Sequence, residues 1–576
     1  MKKYVALAVF LALVGLSFRL FLAWRLPNDE PDDGRLYARI AKNVLEHRSY
    51  SISTEEPYSP TFIRVPGYPV FIAGVYAAFG RDNNLAVRVV QAVVDTITCW
   101  LIALLALSWA PVSWPREKRR RLLLVALGMA VSCPFPAIYV ATILTESCTM
   151  LLVVTCALAA SLAINSRSRL KGVWLWAASG LSGGVAAMFR PDSGLFLAAV
   201  GFTLVLVGLS RAISSWRSGV DRANDGASGG ARRILIWTLV CGLMLTVGAA
   251  AAMAPWTIRN ARVFGLFQPL APQYANMPGE FVPRGYIDWL RTWVDDVKYT
   301  ESFEFPLDVG PLRIEQAPHY AFDSPEEREQ VAALLARYNG PPPKPRSEPP
   351  PPASTGPKAQ EPPARQKEPS PGANAESDEE TPEADDSEAD EETDDADAEE
   401  ETKPQVEMTP DIDAGFAEIA RARIARHPLR HYLIVPLKRA ASLWFDTHSQ
   451  YYPFEGELLP LSGLDRDHSQ QYWLPLFASL TLLYTIFGVA SAWLLWRDRP
   501  SRRQLLLLGL LIFPRLAFLS SLENPEPRYV VGFFAFVIAA ASLSLTDLIW
   551  DGWLKRIAVW FRRSESKTTA SKSNRL

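Results

Sequence analysis

Carboxylates and arginines recur near the ends of long apolar segments in this chain. Asp32 and Asp33 follow the first apolar segment and stand close to Tyr37. Arg64 comes later in the same polar loop, and Arg528 directly precedes the last apolar segment. A carboxylate can take a proton from an attacking hydroxyl, while guanidinium groups hold a phosphate and stabilise its charge. The residue types therefore favour acid–base transfer beside a phosphate group.

Further charged residues occupy comparable places. Glu146 begins the fourth apolar segment, Arg190 follows the fifth and Arg259 follows the seventh. Ionisable groups at membrane depth are costly, which makes them functional candidates by default. Two plainer interpretations stay open. Glu146 and Arg190 can form a structural ion pair between helices, and Arg259 and Arg528 can anchor helix ends at lipid headgroups.

The apolar segments that position these residues are long enough to cross a membrane. A span of about 30 Å of hydrocarbon takes about 20 helical residues, and backbone groups in lipid must be satisfied within the helix. About ten spans are predicted on this basis. They lie at 4–24, 84–110, 122–140, 143–164, 173–189, 193–210, 234–254, 472–496, 504–521 and 529–549. The 576-residue chain is therefore predicted to be an all-α polytopic membrane protein.

The basic residues of the chain predict its orientation. They occur in runs at Lys2-Lys3, Arg116 to Arg121, Arg167 to Lys171, Arg211 to Arg233, Arg497 to Arg503 and Lys555 to Arg563. All of these runs fall on one side if the spans alternate, and positively charged loops stay cytoplasmic. Both termini, and the basic tail at 551–576, are then cytoplasmic. We expect a multi-pass protein of the inner (plasma) membrane whose first segment is a retained helix.

The polar regions divide the chain. Residues 1–255 form an N-terminal transmembrane module, and its first outer loop, 25–83, carries the candidate carboxylates. Residues 256–471 form a long outer region. Within it, the Pro-rich and acidic composition of 340–405 predicts disorder, because such a segment buries too little apolar surface to fold. Residues 472–550 supply the C-terminal transmembrane helices.

Shorter helices are predicted in the outer regions. They lie at 70–79, 324–338, 411–426 and 429–446. The first is too short to span a bilayer, and the last carries Lys438-Arg439 in its middle. We therefore expect both of these to lie in the membrane interface.

Several classes of protein find no support in the sequence. No Gly-rich nucleotide loop follows a predicted strand, and the cytoplasmic loops leave no room for a nucleotide-binding domain. Any activated substrate must then be reached from the membrane or the outer side. The scattered histidines and cysteines show no metal-ligand spacing, so no cofactor is predicted, although assistance by a divalent metal stays open. We expect no nucleic-acid partner.

The motifs together resemble the GT-C superfamily of integral-membrane glycosyltransferases. The likeness is greatest to the bacterial branch related to protein O-mannosyltransferases and lipid A aminoarabinose transferases. The matching elements, in the order of that family, are Asp33 with Tyr37 and Ile40-Ala41, Arg64 to Pro69, Thr145-Glu146, Gly180 to Pro191, Pro255 to Asn260 and Arg528-Tyr529. The resemblance covers residues 1–270 well and 420–550 loosely.

This resemblance implies a GT-C-like helical bundle and a polyprenyl-phosphate-linked sugar donor. The sugar would move on the outer (periplasmic) face to a lipid, glycan or protein acceptor. Asp33 matches the loop carboxylate that acts as general base in an inverting transfer. Arg64, Arg259 and Arg528 are the candidates for contact with the donor phosphate. Supporting roles fall to Tyr37, Glu146 and Arg190.

The chain departs from the family pattern at two places. Many relatives carry a second acid directly after the loop aspartate, whereas here Gly34 follows and Asp32 precedes, so either Asp32 or Asp33 can be the base. The insertion at 340–405 is foreign to the family. A transporter or flippase of a lipid-linked saccharide is the main alternative function, and it predicts repeated halves and charges at the bilayer midplane. A non-catalytic scaffold is the other.

Overall fold

A computed structural model of the protein describes residues 2–26, 32–220, 227–340, 406–446 and 468–550. These residues form helices and connecting loops, without a strand in the described ranges. The helices are α1 (Lys2–Arg25), α2 (Asp32–Glu46), α3 (Gly67–Phe79), α4 (Asn84–Trp109), α5 (Arg116–Ser132), α6 (Pro134–Ala137), α7 (Glu146–Asn165), α8 (Arg169–Phe189), α9 (Gly194–Val220), α10 (Ala227–Phe264), α11 (Arg284–Arg291), α12 (Val297–Phe303), α13 (Pro325–Asn339), α14 (Pro410–Arg426), α15 (Val435–Phe445), α16 (His468–Arg497), α17 (Arg502–Ser520) and α18 (Val531–Trp550).

The predicted all-α polytopic fold is confirmed. Among the described residues, 9 helices are long and apolar enough to cross a membrane, and the count reaches 10 if one bent pair is a single span. The bent pair joins Arg116–Ser132 to Pro134–Val140 at an angle of 53°. Pro134 and Pro136 lie at this bend, and proline removes a backbone donor and disturbs the preceding helical turn. The protein is a multi-pass membrane protein by these criteria.

The shorter predicted helices are also present. The segment 70–79 is part of α3, 324–338 corresponds to α13, and 411–426 lies within α14. The segment 429–446 begins with a π-helical stretch, Arg430–Ile434, that continues into α15. Disorder was predicted for 340–405, and residues 341–405 lie outside the described ranges. The predicted tail 551–576 also lies outside them.

Close packing of α8 against α10 depends on small residues. A Cβ atom on Gly180 of α8 would lie 1.9 Å from the carbonyl oxygen of Leu245 in α10. Likewise, a Cβ atom on Gly248 of α10 would lie 2.3 Å from the carbonyl oxygen of Ala177. Glycine is needed at both places because the two backbones touch, which is how small residues serve helix pairs in membranes. This contact sets the position of Arg190, which directly follows α8.

The outer helices α11 to α14 have a hydrophobic core of their own. Trp289, Trp293, Phe303 and Phe416 are fully buried in it. Arg423 of α14 is buried as well, and it ion-pairs with carboxylates at the start of α13 and just before it. The outer helices thus form a packed unit, and this unit covers one side of the cavity described next.

Candidate active site

A cavity of about 970 Å³ lies where the first outer loop, the span ends and the outer helices meet. We call it the Asp33 cavity. The residues that line it include Asp33, Tyr37, Arg64, Glu146, Arg190, Asp192, Tyr286, Glu304, Glu523, Asn524, Arg528 and Tyr529. Segments that are hundreds of residues apart in the sequence therefore contribute to one concave, polar site. Such a site is large enough for a bulky organic substrate.

Asp33 lies between two arginines in this cavity. Its Oδ1 atom accepts a hydrogen bond from Arg64 Nη2 at 3.0 Å, and its Oδ2 atom lies 3.3 Å from Arg528 Nη2. Asp33 is in the first turn of α2, where the helix dipole favours a negative charge. Its side chain keeps 31% of its exposure, so the carboxylate is accessible to a molecule in the cavity.

The pKa of Asp33 is lowered from its ordinary value of 3.8. Burial alone would raise it, but the positive charges of Arg528 and Arg64 outweigh that cost and favour the ionised form. Asp33 is therefore an ionised carboxylate at neutral pH.

Asp32 has a different environment from its neighbour. Its side chain is fully exposed, at 103% of the reference area, and its ion-pair partner in the described chain is Arg35, at 4.0 Å. Successive residues of a helix point about 100° apart, so the start of α2 turns one carboxylate inward and the other to solvent. Of the two candidates for the base, Asp33 is the one that lines the cavity.

Arg528 is held in place by a second carboxylate. Its Nε atom lies 2.7 Å from Glu526 Oε2, and its guanidinium group lies 5.4 Å from the centre of the Tyr529 ring. Glu526 is nearly fully buried, and this burial raises its pKa to about 7. The charge that faces Arg528 from this side is thus sensitive to pH near neutrality.

Glu146 and Arg190 form the ion pair that was considered from the sequence. Arg190 Nη1 lies 2.5 Å from Glu146 Oε1, and Arg190 Nε lies 3.3 Å from Asp192 Oδ1. Arg515 of α17, which the sequence analysis did not single out, donates to Asp192 and to the carbonyl oxygen of Tyr529. Its charge within an apolar span was a usable signal. This network fixes the end of α8 against the C-terminal helices.

Tyr37 lines the same cavity one helical turn after Asp33. Its ring packs edge-to-face on Tyr68, with centroids 5.2 Å apart. Burial raises the pKa of Tyr37 to about 12, so its phenol stays protonated and can donate a hydrogen bond. Tyr37 can therefore orient a substrate or the Asp33 carboxylate, but it does not supply a negative charge.

Arg259, a predicted phosphate contact, does not line the Asp33 cavity. Its Nη1 atom donates to the carbonyl oxygen of Thr61 at 2.8 Å, and its guanidinium group lies among the rings of Tyr50, Trp256 and Phe264. It lines a separate cavity of about 570 Å³. Helix α10 continues to Phe264, past the predicted end of the span at 254, so Arg259 lies within this helix and packs on the loop segment that contains Thr61.

Two glutamates that were not predicted from the sequence also line the cavity, and we call this part of its lining the acidic wall. Glu304 follows α12 and lines the cavity, as does Glu523, which accepts a hydrogen bond from Arg291 at 2.6 Å. Burial raises the pKa of Glu304 to about 8, and the nearby charge of Glu523 adds to the effect. A protonated carboxyl at this place can donate a hydrogen bond to a hydroxyl. No local motif marks these residues.

The described part of the chain contains no group of three or more His, Cys, Asp or Glu side chains that could hold a metal ion. The oxygens of Asp33 face guanidinium groups instead. The charge of a bound phosphate would therefore meet arginines in this site.

No protein-family model matches the chain, and no curated protein sequence does. Among solved structures, the chain is similar to the archaeal oligosaccharyltransferase AglB from Archaeoglobus fulgidus, in complex with an inhibitory peptide and a dolichol-phosphate. That similarity has a TM-score of 0.44 and 11% identity, and it covers 96% of this chain and 51% of AglB. The chain thus spans about half the length of AglB.

The chain is also similar to ArnT from Cupriavidus metallidurans bound to undecaprenyl phosphate, with a TM-score of 0.34 and 12% identity. The match covers 94% of this chain and 78% of ArnT. The likenesses are distant, so function has to be judged from the residues of the site.

Proposed function

We propose that the protein is a membrane glycosyltransferase. It moves a sugar from a polyprenyl-phosphate donor to an acceptor hydroxyl in the Asp33 cavity, with inversion at the anomeric carbon. The observation that carries the proposal is the carboxylate of Asp33 between Arg64 and Arg528 in a large cavity at the ends of membrane-spanning helices. A base and cationic phosphate contacts are what this reaction requires.

The proposed step balances as a single displacement. The acceptor hydroxyl gives its proton to Asp33 as its oxygen forms a bond to the anomeric carbon. The bond between that carbon and the phosphate oxygen breaks at the same time, and the polyprenyl phosphate leaves with the electron pair. Arg64 and Arg528 stabilise the charge that develops on this leaving phosphate. Attack opposite to the leaving group accounts for inversion.

The arginines have a second role in this proposal. A carboxylate bound by two guanidinium groups is ionised but weakly basic, because each contact stabilises its charged form. A donor phosphate competes with Asp33 for Arg64 and Arg528. Donor binding therefore strengthens Asp33 as a base at the moment when the acceptor needs one. Tyr37, Glu146 and Arg190 support the site by positioning, through the contacts described above.

The proposed function also requires the Asp33 cavity to open on the outer side of the membrane. Arg190 lies at the C-terminal end of α8, whereas the basic run Arg167 to Lys171 lies at its N-terminal end. Positive loops stay cytoplasmic, so the Asp33 cavity faces the outer side of the inner membrane and both termini are cytoplasmic. In this arrangement 1–255 and 472–550 build the membrane part, and the outer unit within 256–471 closes the cavity.

The acceptor is proposed to enter along the acidic wall. Glu304, Glu523 and Asn524 offer hydrogen-bonding groups in the lining of the same cavity. The hydroxyl of a lipid, a glycan or a protein can bond to such groups. The proposal therefore specifies the acceptor as a hydroxyl-bearing molecule.

The experiment that tests this proposal uses a synthetic polyprenyl-phosphate sugar of one anomeric configuration. The purified protein is expected to give a product of the opposite configuration, which proton NMR of the anomeric signal reports. A product that keeps the donor configuration would require a covalent intermediate or another mechanism, and it would contradict the proposed single displacement.

The pH dependence of donor binding is a further prediction. As pH falls from about 8 to about 6, Glu526 takes up a proton, and Arg528 loses the negative charge beside it. The other charges that act on Glu526 are those of Glu146, Arg190 and Asp33. Donor affinity should therefore rise on acidification, by at most about tenfold per pH unit for one linked proton.

Equilibrium binding of a non-hydrolysable donor analogue, measured across this range, checks the prediction. The E526Q variant has no proton to take up at this position and is expected to bind with little dependence on pH. An E526Q variant that keeps the full pH dependence would show that another group is responsible.

A further inference from the structure

A second cavity lies at the opposite end of α8 from the Asp33 cavity. It has a volume of about 190 Å³ and is lined by Arg167, Arg169, Arg211, Arg233 and Trp237, among others. We call it the arginine cavity. Helix α8 rises about 1.5 Å per residue, so its length puts about 30 Å between the arginine cavity and Arg190. This distance is about the thickness of a bilayer core. The two cavities therefore lie at opposite membrane surfaces.

The arginine cavity differs from the Asp33 cavity in its counter-charges. Arg190 and Arg528 in the Asp33 cavity each face carboxylates of the protein itself. No Asp or Glu is among the described residues that line the arginine cavity. Arg211 donates from Nη2 to the carbonyl oxygen of Ile164 at 3.1 Å, and this acceptor is neutral. Converging cations without a carboxylate favour an anion from outside the chain.

Local structure adds to this preference for an anion. The first turn of α8 opens onto the cavity, since Ser168, which caps the helix, and Gly172 both line it. Amide groups of a first helical turn lack partners within the helix and attract negative charge. The guanidinium group of Arg169 lies 5.8 Å from the centre of the Trp237 ring, which restrains it beside the cavity.

We infer that the arginine cavity binds a phosphate group. A tetrahedral phosphate accepts several hydrogen bonds at once, which suits the guanidinium forks of Arg211 and Arg233 on neighbouring helices α9 and α10. Basic pockets between spans are also where lipid headgroups are held. The phosphate can belong to a lipid of the facing leaflet or to the aqueous phase. The site is separate from the proposed transfer reaction and does not depend on it.

The test measures binding of dioleoyl phosphatidic acid to the full-length protein in neutral detergent by native mass spectrometry. Dioleoyl phosphatidylcholine serves as the comparison lipid. The wild type is expected to prefer phosphatidic acid, and R211Q/R233Q to bind it about 30-fold more weakly. The matched control is R116Q/R120Q, which removes the same charge from exposed positions on the same side and is expected to bind like the wild type.

Further variants keep the result interpretable. If R211Q/R233Q does not fold, R167Q/R169Q removes two exposed arginines of the same cavity and is expected to weaken binding in the same direction. The connection between α9 and α10 lies outside the described residues and contains Asp221 and Asp225. The D221N/D225N variant is expected to bind phosphatidic acid at least as tightly as the wild type.

Competition with about 10 mM inorganic phosphate distinguishes the two sources of the anion. Displacement of phosphatidic acid assigns the cavity to phosphate from solution, and failure to displace it assigns the cavity to a lipid headgroup. Equal binding of phosphatidic acid and phosphatidylcholine by the wild type would overturn the inference. So would equal losses in R211Q/R233Q and R116Q/R120Q.

Discussion

The D33N variant is expected to transfer sugar about 10²- to 10⁴-fold more slowly than the wild type, the range typical of a lost general base. Asparagine keeps the size of the side chain and an acceptor oxygen, but it cannot take the proton of the acceptor hydroxyl. The measurement is the initial rate of product formation from a labelled polyprenyl-phosphate sugar at saturating donor.

Donor binding separates this explanation from a structural one. Arg64 and Arg528 lose a competing negative charge in D33N, so the variant should bind a donor analogue as tightly as the wild type or more tightly. Loss of both binding and transfer would point to a damaged site. The matched control is D32N, which makes the same chemical change at a fully exposed neighbour and is expected to retain most of the activity.

The R528Q variant is expected to lower kcat by about 10²- to 10³-fold, the effect of removing one preorganised donor to a developing negative charge. Arg528 faces Asp33 on one side and Glu526 on the other, so it lies where a leaving phosphate would meet the carboxylate. Single-turnover kinetics with prebound donor report this loss directly.

Two companion variants sharpen the result. R528K keeps the charge without the planar fork and should fall between the wild type and R528Q. R262Q removes an exposed arginine near the end of α10 that lines neither the Asp33 cavity nor the cavity beside Arg259, and it should transfer at the wild-type rate. A wild-type kcat in R528Q would exclude Arg528 from leaving-group stabilisation.

The helical framework was largely predictable from the sequence, because hydrophobic length and basic loops are strong local signals. The structure has span-length helices at the predicted places, with the segment 122–140 bent at Pro134. What the sequence could not supply was the contact between spans. Nothing in the sequence distinguishes Gly180 and Gly248 from other small residues. Their role follows from the contact between α8 and α10.

Part of the lining of the Asp33 cavity was predictable from the sequence. Asp33, Arg64 and Arg528 come together as expected, although Arg528 is more than 460 positions after Arg64 in the sequence. The choice between Asp32 and Asp33 depended on the rotation of α2, which a sequence of two adjacent acids does not encode. Arg259 is the reverse case, because its place in a motif does not show which cavity it lines.

The acidic wall lay beyond prediction for a different reason. Glu304 and Glu523 belong to outer segments without periodicity or motif, and they meet only because α11 and α12 fold over the ends of the spans. Their burial, which raises the pKa of Glu304, is a property of the assembled cavity. Non-local contacts of this kind have no counterpart in residue spacing.

The most direct test of the central proposal is release of polyprenyl phosphate from a panel of polyprenyl-phosphate sugars by the purified protein, wild type beside D33N. The proposal predicts that at least one donor is cleaved by the wild type, that the sugar appears on an acceptor or on water, and that D33N is nearly inactive. A folded wild type that neither binds nor cleaves any donor would contradict a donor site in the Asp33 cavity. Equal cleavage by D33N would contradict the role of Asp33 as the base.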